Sequence, residues 1–254
     1  GTGNVALGNT ALDSNVSGEY NTAIGDVSLT SNTDGVSNTS VGAFSLEDNI
    51  GGDYNTASGA LAVRRNTTGN QNTGSGYASL LANTTGSFNS AFGAGTLQAN
   101  TTADNNTAVG YQALLDNTTG TINTAVGRQA LSNNTTGTNN TTMGYAMVSN
   151  TTGSSNTGLG HNALHLNTTS SGNTAVGYQA GYSQTTASGG SSSFFGYQAG
   201  YSLTGLFCTF VGGQAGYSAT SGQSNTFVGH FAGGNVTTGS KNTILGRYNG
   251  NQDG

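Results

Sequence analysis

The side chains best suited to metal or nucleophilic chemistry are few, and their spacing argues against most of it. They are three histidines, His161, His165 and His230, and one cysteine, Cys208. His161 and His165 fall in one sequence repeat, but no acid or cysteine stands near them, and metal sites of the zinc type need three or four convergent ligands. His230 reads as a variant of a repeated column. Glu47 and Asp48 are adjacent, so on a strand they point to opposite faces and do not form an acid–base pair. Gly93-Ala94-Gly95 and Gly158-Leu159-Gly160 lack the strand–GxGxxG–helix setting of a dinucleotide site. Calcium-binding GGxGxDxUx nonapeptides are absent. Cys208 has no base or cation close in sequence to lower its pKa, so it reads as a space-filling thiol. No catalytic, cofactor-binding or metal residue is assigned, and the sequence predicts a protein that is not an enzyme.

The polar chemistry lies instead in two columns of asparagine. One stands four residues before a recurrent glycine: Asn21, Asn38, Asn55, Asn72, Asn89, Asn106, Asn123, Asn140, Asn156, Asn173, Asn225 and Asn242. We call it the strand-Asn column and read it as a structural ladder, because amides stacked at strand spacing hydrogen-bond to their own copies. The other opens an Asn-Thr-Thr turn: Asn66, Asn83, Asn100, Asn117, Asn134, Asn150 and Asn167. This turn-Asn column has turn chemistry, and each member is also an N-glycosylation sequon. It is therefore expected at the surface, for contact or for glycan attachment. Its threonines, among them Thr118 and Thr135, offer an array that could order water, bind ice or bind carbohydrate.

Both columns exist because the chain repeats. The unit Asn106-Thr107-Ala108-Val109-Gly110-Tyr111-Gln112-Ala113-Leu114 restarts at Asn123, and its marker glycine recurs from Gly8 to Gly246, mostly every 17 residues. So short a period cannot bury a core alone and must stack as a solenoid. Gly and Asn at this density oppose helix. The predicted fold is all-β, a parallel β-solenoid (β-roll) of about fifteen 17-residue coils. Each coil is expected to hold two short strands, Thr107–Val109 and Tyr111–Leu114, bent at Gly110. The residue before the marker glycine (Leu7, Ile24, Val41, Phe92, Val109, Val126) and the Leu column after it (Leu29, Leu46, Leu80, Leu97, Leu114, Leu131) are expected to fill the core.

Residues 1–180 carry the Leu column; residues 181–254 carry Phe194, Phe210, Phe227 and Ile244 in place of Ala, with Gly200, Gly216, Gly233 and Gly250 in place of Leu. Large replaces small in one column and small replaces large in the other, as expected of facing columns at conserved volume. One continuous array is expected, least regular from about Gly181 to Gly212, where Ser192 and Cys208 interrupt the strand-Asn column.

Charged residues are 6% of the chain and the net charge is −5. In a stack of coils like charges would recur about every 4.8 Å and repel by roughly 0.9 kcal/mol per neighbour even in water. The balance gives no basic footprint for nucleic acid, no stretch suits a membrane span, and one cysteine excludes an internal disulfide. The chain lacks an initial Met and both ends fall in mid-pattern, so it reads as a piece of a longer or processed protein.

The motifs Asn106 to Leu114, Asn123 to Leu131, Asn173 to Ala180 and Gly196-Tyr197-Gln198-Ala199-Gly200-Tyr201-Ser202 resemble the head repeats of trimeric autotransporter adhesins and the repetitive shafts of phage and virus tail fibres. The resemblance covers essentially the whole chain. It implies a homotrimeric, left-handed parallel β-roll on a cell or virion surface, used for attachment or as a stalk. The adhesin heads differ in having a shorter repeat, commonly with an NSVAIG motif, and no coiled-coil stalk, membrane anchor or fibre chaperone is visible here. The function expected is an extracellular adhesive or structural element acting by multivalent contact, a rod about 70 Å long at the strand spacing. Its partners would be itself, as trimer or filament, and a surface glycan or protein receptor. An ice- or carbohydrate-binding solenoid and a self-assembling filament subunit are the alternatives.

Overall fold

A computed structural model describes residues 2–185 and 190–250. The chain divides into two compact units, Gly1–Thr136 and Gly137–Gly254. The first holds β1 (Val5–Leu7), β2 (Thr22–Ile24), β3 (Thr39–Val41), β4 (Thr56–Ser58), β5 (Thr73–Ser75), β6 (Ser90–Phe92), β7 (Thr107–Val109) and β8 (Thr124–Val126). The second holds β9 (Thr141–Met143), β10 (Thr157–Leu159), β11 (Thr174–Val176), β12 (Ser193–Phe195), β13 (Thr209–Val211), β14 (Thr226–Val228) and β15 (Thr243–Leu245). Within each unit consecutive strands pair in parallel and in register, Thr on Thr and Ala on Ala, as at Thr107↔Thr124 and Ala108↔Ala125. The protein is an all-β parallel β-solenoid with one strand per coil, and no helix occurs among the described residues.

The second predicted strand is not formed. From Tyr111 to Leu114 the chain turns, with Gln112 at φ 55° and Leu114 at φ 51°, in the left-handed region. The backbone still bonds to neighbouring coils there: Gln112 N–H donates to Ala94 O and Leu114 N–H to Ala130 O, both at 3.0 Å. Inter-coil bonding therefore does not require extended backbone, and the left-handed residues wind a 17-residue chain into a closed loop. The marker glycine makes this turn possible. A Cβ on Gly110 would lie 2.6 Å from Gly127 O in the next coil, and its φ is 124°.

The direction of the strand faces also corrects the expected core. In a short strand successive side chains alternate, and the middle residue points inward. Ala23, Ala57, Ala91, Ala108, Ala125 and Ala175 are fully buried, whereas Ile24, Val41, Phe92 and Val109 are exposed. Where the Leu column fills the interior, the inward strand position beside it is left a small residue. The Leu column is buried as expected, with Met147 rather than Val148 taking its place in the coil after β9.

The Phe-for-Ala exchange lies inside the second unit, where β11 pairs with β12 and sets Ala175 beside Phe194. Phe194, Phe210 and Phe227 are fully buried. A Cβ on Gly200 would come 2.4 Å from the Phe194 ring, and one on Gly216 2.4 Å from the Phe210 ring. The two columns do face each other, and the glycines open the space that the rings fill. Of the expected irregular stretch, residues 186–189 lie outside the described residues.

Candidate functional surface

Both asparagine columns lie inside the coil. Asn72, Asn89, Asn106, Asn123, Asn140 and Asn173 of the strand-Asn column are fully buried. Side-chain oxygens of this column accept from the next coil: Asn89 N–H donates to Asn72 Oδ1 at 3.1 Å, and Asn106 N–H to Asn89 Oδ1 at 3.0 Å. The turn-Asn column, expected at the surface, is equally buried: Asn66, Asn83, Asn100, Asn117, Asn134, Asn150 and Asn167 all have no exposed surface. Its amides form a second ladder, Asn83 Nδ2 donating to Asn66 Oδ1 at 2.7 Å and Asn100 Nδ2 to Asn83 Oδ1 at 2.8 Å.

The reason for that burial is one shared acceptor per coil. Gly86 O accepts from Asn72 Nδ2 at 2.8 Å and from Asn83 Nδ2 at 2.9 Å. Gly120 O accepts likewise from Asn106 and Asn117, both at 2.9 Å. Two amides from different parts of the repeat clamp one carbonyl, so the Asn-Thr-Thr-Gly turn folds inward around its asparagine. Buried polar groups are stable only when paired, and the repeat supplies the partners. The ladder ends at Asn167, whose Oδ1 is buried without a hydrogen-bond partner among the described residues. Beyond it the column continues as Gln184, Leu203 and Ala219, all buried.

The surface is built from other residues. The first and third residues of each strand face outward, giving a sheet face of Thr and apolar columns: Thr107 with Val109, and Thr124 with Val126. Val109 is 38% exposed, Phe92 45% and Met143 57%, large values for such side chains on a regular sheet. The turn threonines are less available, because Thr118 donates its hydroxyl to Thr135 O at 3.0 Å and Thr84 to Thr101 O at 3.0 Å.

The second unit adds two aromatic rows. Tyr145, His161, Tyr178 and Tyr197 stack with ring centroids 5.4–5.8 Å apart. His165, Tyr182, Tyr201 and Tyr217 do so at 5.0–5.4 Å. Gln179, Gln198 and Gln214 chain their amides beside them, at 2.8 and 3.1 Å. The rings face one another along the stack, so their edges are what solvent meets. Burial holds the His165 imidazole below its usual range, with the nearby charge of His161 adding to the effect. The Tyr201 phenol is raised by burial and by Tyr182, Tyr217 and Tyr178. His161 and His165 thus sit within aromatic stacks, and among the described residues no three His, Cys, Asp or Glu side chains group as metal ligands.

Cys208 replaces an asparagine in kind. Its thiol lies 3.5 Å from Gly222 O, the carbonyl an Asn amide would reach, and its own N–H donates to Ser192 Oγ at 3.1 Å. Burial pushes its pKa up, opposed by backbone N–H groups of Asn225 and Ser224. Sequence reasoning missed the exposed sheet column and the paired aromatic rows. The rows were legible as Tyr or His recurring at two fixed offsets from the marker glycine.

No family model, no curated protein and no solved structure matches the chain. Among the described residues no helix is long and apolar enough to cross a membrane.

Proposed function

We propose that the chain is an extracellular structural and adhesive repeat element, of the kind found in cell-surface adhesin heads or viral tail-fibre shafts. It acts as a homotrimer through multivalent contact. The observation that carries this reading is the outer sheet face, which presents an apolar side chain beside a threonine in most coils, without charge, interrupted by Ser58 and Ser75 in the apolar column and by Val5, Ser90 and Ser193 in the threonine column. Ile24, Val41, Phe92 and Val109 do so in the first unit, and Met143, Phe195, Val211 and Val228 in the second. One weak contact repeated at fixed spacing gains through effective concentration far more than a single contact does. The uneven sizes of Val109, Phe92 and Met143 suit a packed protein surface, as between copies of the chain. The test is the mass in solution by sedimentation equilibrium. Three times the 25.2 kDa chain mass supports the trimer. A monomer that V109D/V126D leaves unchanged, or an open-ended filament, contradicts it.

A second reading, binding to ice or carbohydrate, rests on the sheet threonines rather than on Thr118 and its equivalents. Thr107 and Thr124 are exposed, and Thr holds that position in every strand but β1, β6 and β12, which have Val5, Ser90 and Ser193. Thermal hysteresis or glycan-array binding that T107A/T124A abolishes would favour it over self-assembly.

A further inference from the structure

We infer that folding and N-glycosylation exclude each other along the turn-Asn column, and that the native chain therefore reaches its fold in a compartment without glycan transfer to Asn-X-Ser/Thr. This goes beyond the proposed function and does not depend on it. Asn66, Asn83, Asn100, Asn117, Asn134, Asn150 and Asn167 each begin an Asn-Thr-Thr sequon, and all are fully buried. Glycan transfer breaks one Nδ2–H bond and the bond between the sugar's anomeric carbon and the diphosphate of a lipid-linked oligosaccharide, and forms a bond from Nδ2 to that carbon. The lipid diphosphate leaves and the proton is released.

Both hydrogens of that nitrogen are already committed in the fold. Asn83 Nδ2 donates to Asn66 Oδ1 at 2.7 Å and to Gly86 O at 2.9 Å. Asn117 Nδ2 donates to Asn100 Oδ1 at 3.1 Å and to Gly120 O at 2.9 Å. A sugar there deletes a ladder bond and has no volume to occupy, since the nitrogen sits between successive coils. Glycans attached to the unfolded chain would accordingly block the stack at as many as seven places. The same holds for Asn38-Thr39-Ser40 and Asn140-Thr141-Thr142, whose asparagines are buried in the other ladder. The sequons whose asparagines the fold leaves exposed are different ones: Asn105, Asn133, Asn139 and Asn235.

The test uses the full chain directed into the secretory pathway of a eukaryotic cell, with and without an inhibitor of lipid-linked oligosaccharide synthesis. A companion variant removes the closed sequons while keeping every asparagine: T68A, T85A, T102A, T119A, T136A, T152A and T169A, with S40A and T142A. The first six side chains are exposed, and the last two become the Ala that neighbouring coils such as those of β2, β4 and β8 carry there. Peptide mass spectrometry should find glycans on Asn83 and Asn117 of retained chain, with release at least tenfold below that of the variant or of inhibited cells. Folded chain made in bacteria and offered to the transferase in vitro should accept glycans at exposed sequons, and at the turn-Asn column only after unfolding. Release of folded chain carrying glycans at Asn83 or Asn117 would overturn the inference. So would efficient release with those residues unmodified, or retention that neither the inhibitor nor the variant relieves.

Discussion

The coils of β2–β10 and those of β12–β14 fill a similarly narrow interior in two ways, with the β11 coil, which has Ala175 but Gly181, at the change-over. The first set uses Ala or another small residue on the strand, an aliphatic side chain, mostly Leu, after the marker glycine and a buried amide from the turn. The second uses Phe on the strand, Gly in the Leu position and Leu203 or Ala219 where the amide stood. The backbone is nearly the same in both: φ is 51° at Leu114 and 63° at Gly200. A left-handed leucine costs roughly 1–2 kcal/mol, and its burial returns roughly 1.5–3 kcal/mol. Glycine avoids that cost, and the volume it gives up is filled by the ring opposite. What stays fixed is the path of the coil; how the interior is divided among side chains is negotiable, provided facing columns change together.

Mixing the two packings within one coil is expected to do the most damage. Gly216→Leu places a Cβ 2.4 Å from Phe210 Cε2 and should destabilise the second unit by about 3 kcal/mol or more in urea unfolding, as overpacking does. Adding Phe210→Ala should recover much of that loss, with a coupling of about 2 kcal/mol in the double-mutant cycle. Strict additivity would show that the columns do not compensate.

The amide ladders come next. Asn72→Ala removes the acceptor of Asn89 N–H and one of the two donors to Gly86 O. Leaving a buried donor unsatisfied should cost about 2 kcal/mol, read as a shift in the urea midpoint at unchanged slope. A change below about 0.5 kcal/mol, the level of ordinary surface substitutions, would mean the ladder contributes little.

Leu114 offers a reversal of ordinary rank. Both Leu114→Ala and Leu114→Gly lose packing, but only glycine relieves the left-handed conformation at φ 51°. The glycine variant should be more stable than the alanine variant by about 1 kcal/mol, the opposite of the order in a helix or strand.

All three histidines lie in the second unit, which separates the units by pH. His165 has a folded pKa depressed below its ordinary 6.5. Its contribution is therefore complete above about pH 6.5 and is lost as pH falls through the folded value. Hydrogen exchange should show the coils around β9–β12 loosening first on mild acidification, and His165→Phe, which keeps a ring in the stack, should suppress that loosening.

The smallest effect is expected at Cys208. Restoring the amide with Cys208→Asn should be neutral or stabilising by about 0.5 kcal/mol. The raised thiol pKa predicts slow alkylation at neutral pH, and a stability contribution present below the unfolded thiol pKa and lost only as pH rises through the folded value. Rapid modification of the folded protein would contradict its burial.

Much of this architecture was legible because it is a property of columns. The 17-residue period, the strand-Asn ladder and the Ala-to-Phe, Leu-to-Gly exchange can all be read down the repeats without knowing the fold. The inward face of the strand was not, because in Thr107-Ala108-Val109 two neighbouring residues are apolar and a strand this short gives alternation no length to declare itself. The left-handed leucine was hidden by its rarity, although Gly181, Gly200, Gly216 and Gly233 in the same column marked a conformation that glycine favours. The turn-Asn column misled for a physical reason. Asn-Thr-Thr-Gly is surface chemistry when it occurs once, but repeated at coil spacing it gives each amide a partner above, a partner below and a carbonyl to clamp.

Side-chain amide hydrogen exchange measured by NMR reads that clamp at each asparagine. The Nδ2 protons of Asn72 and Asn83, both donors to Gly86 O, should exchange slower than those of exposed Asn105 and Asn133 by about two orders of magnitude or more, as groups that open only with the coil. Exchange of Asn83 as fast as Asn105 would place the turn asparagines at the surface and rule the clamp out.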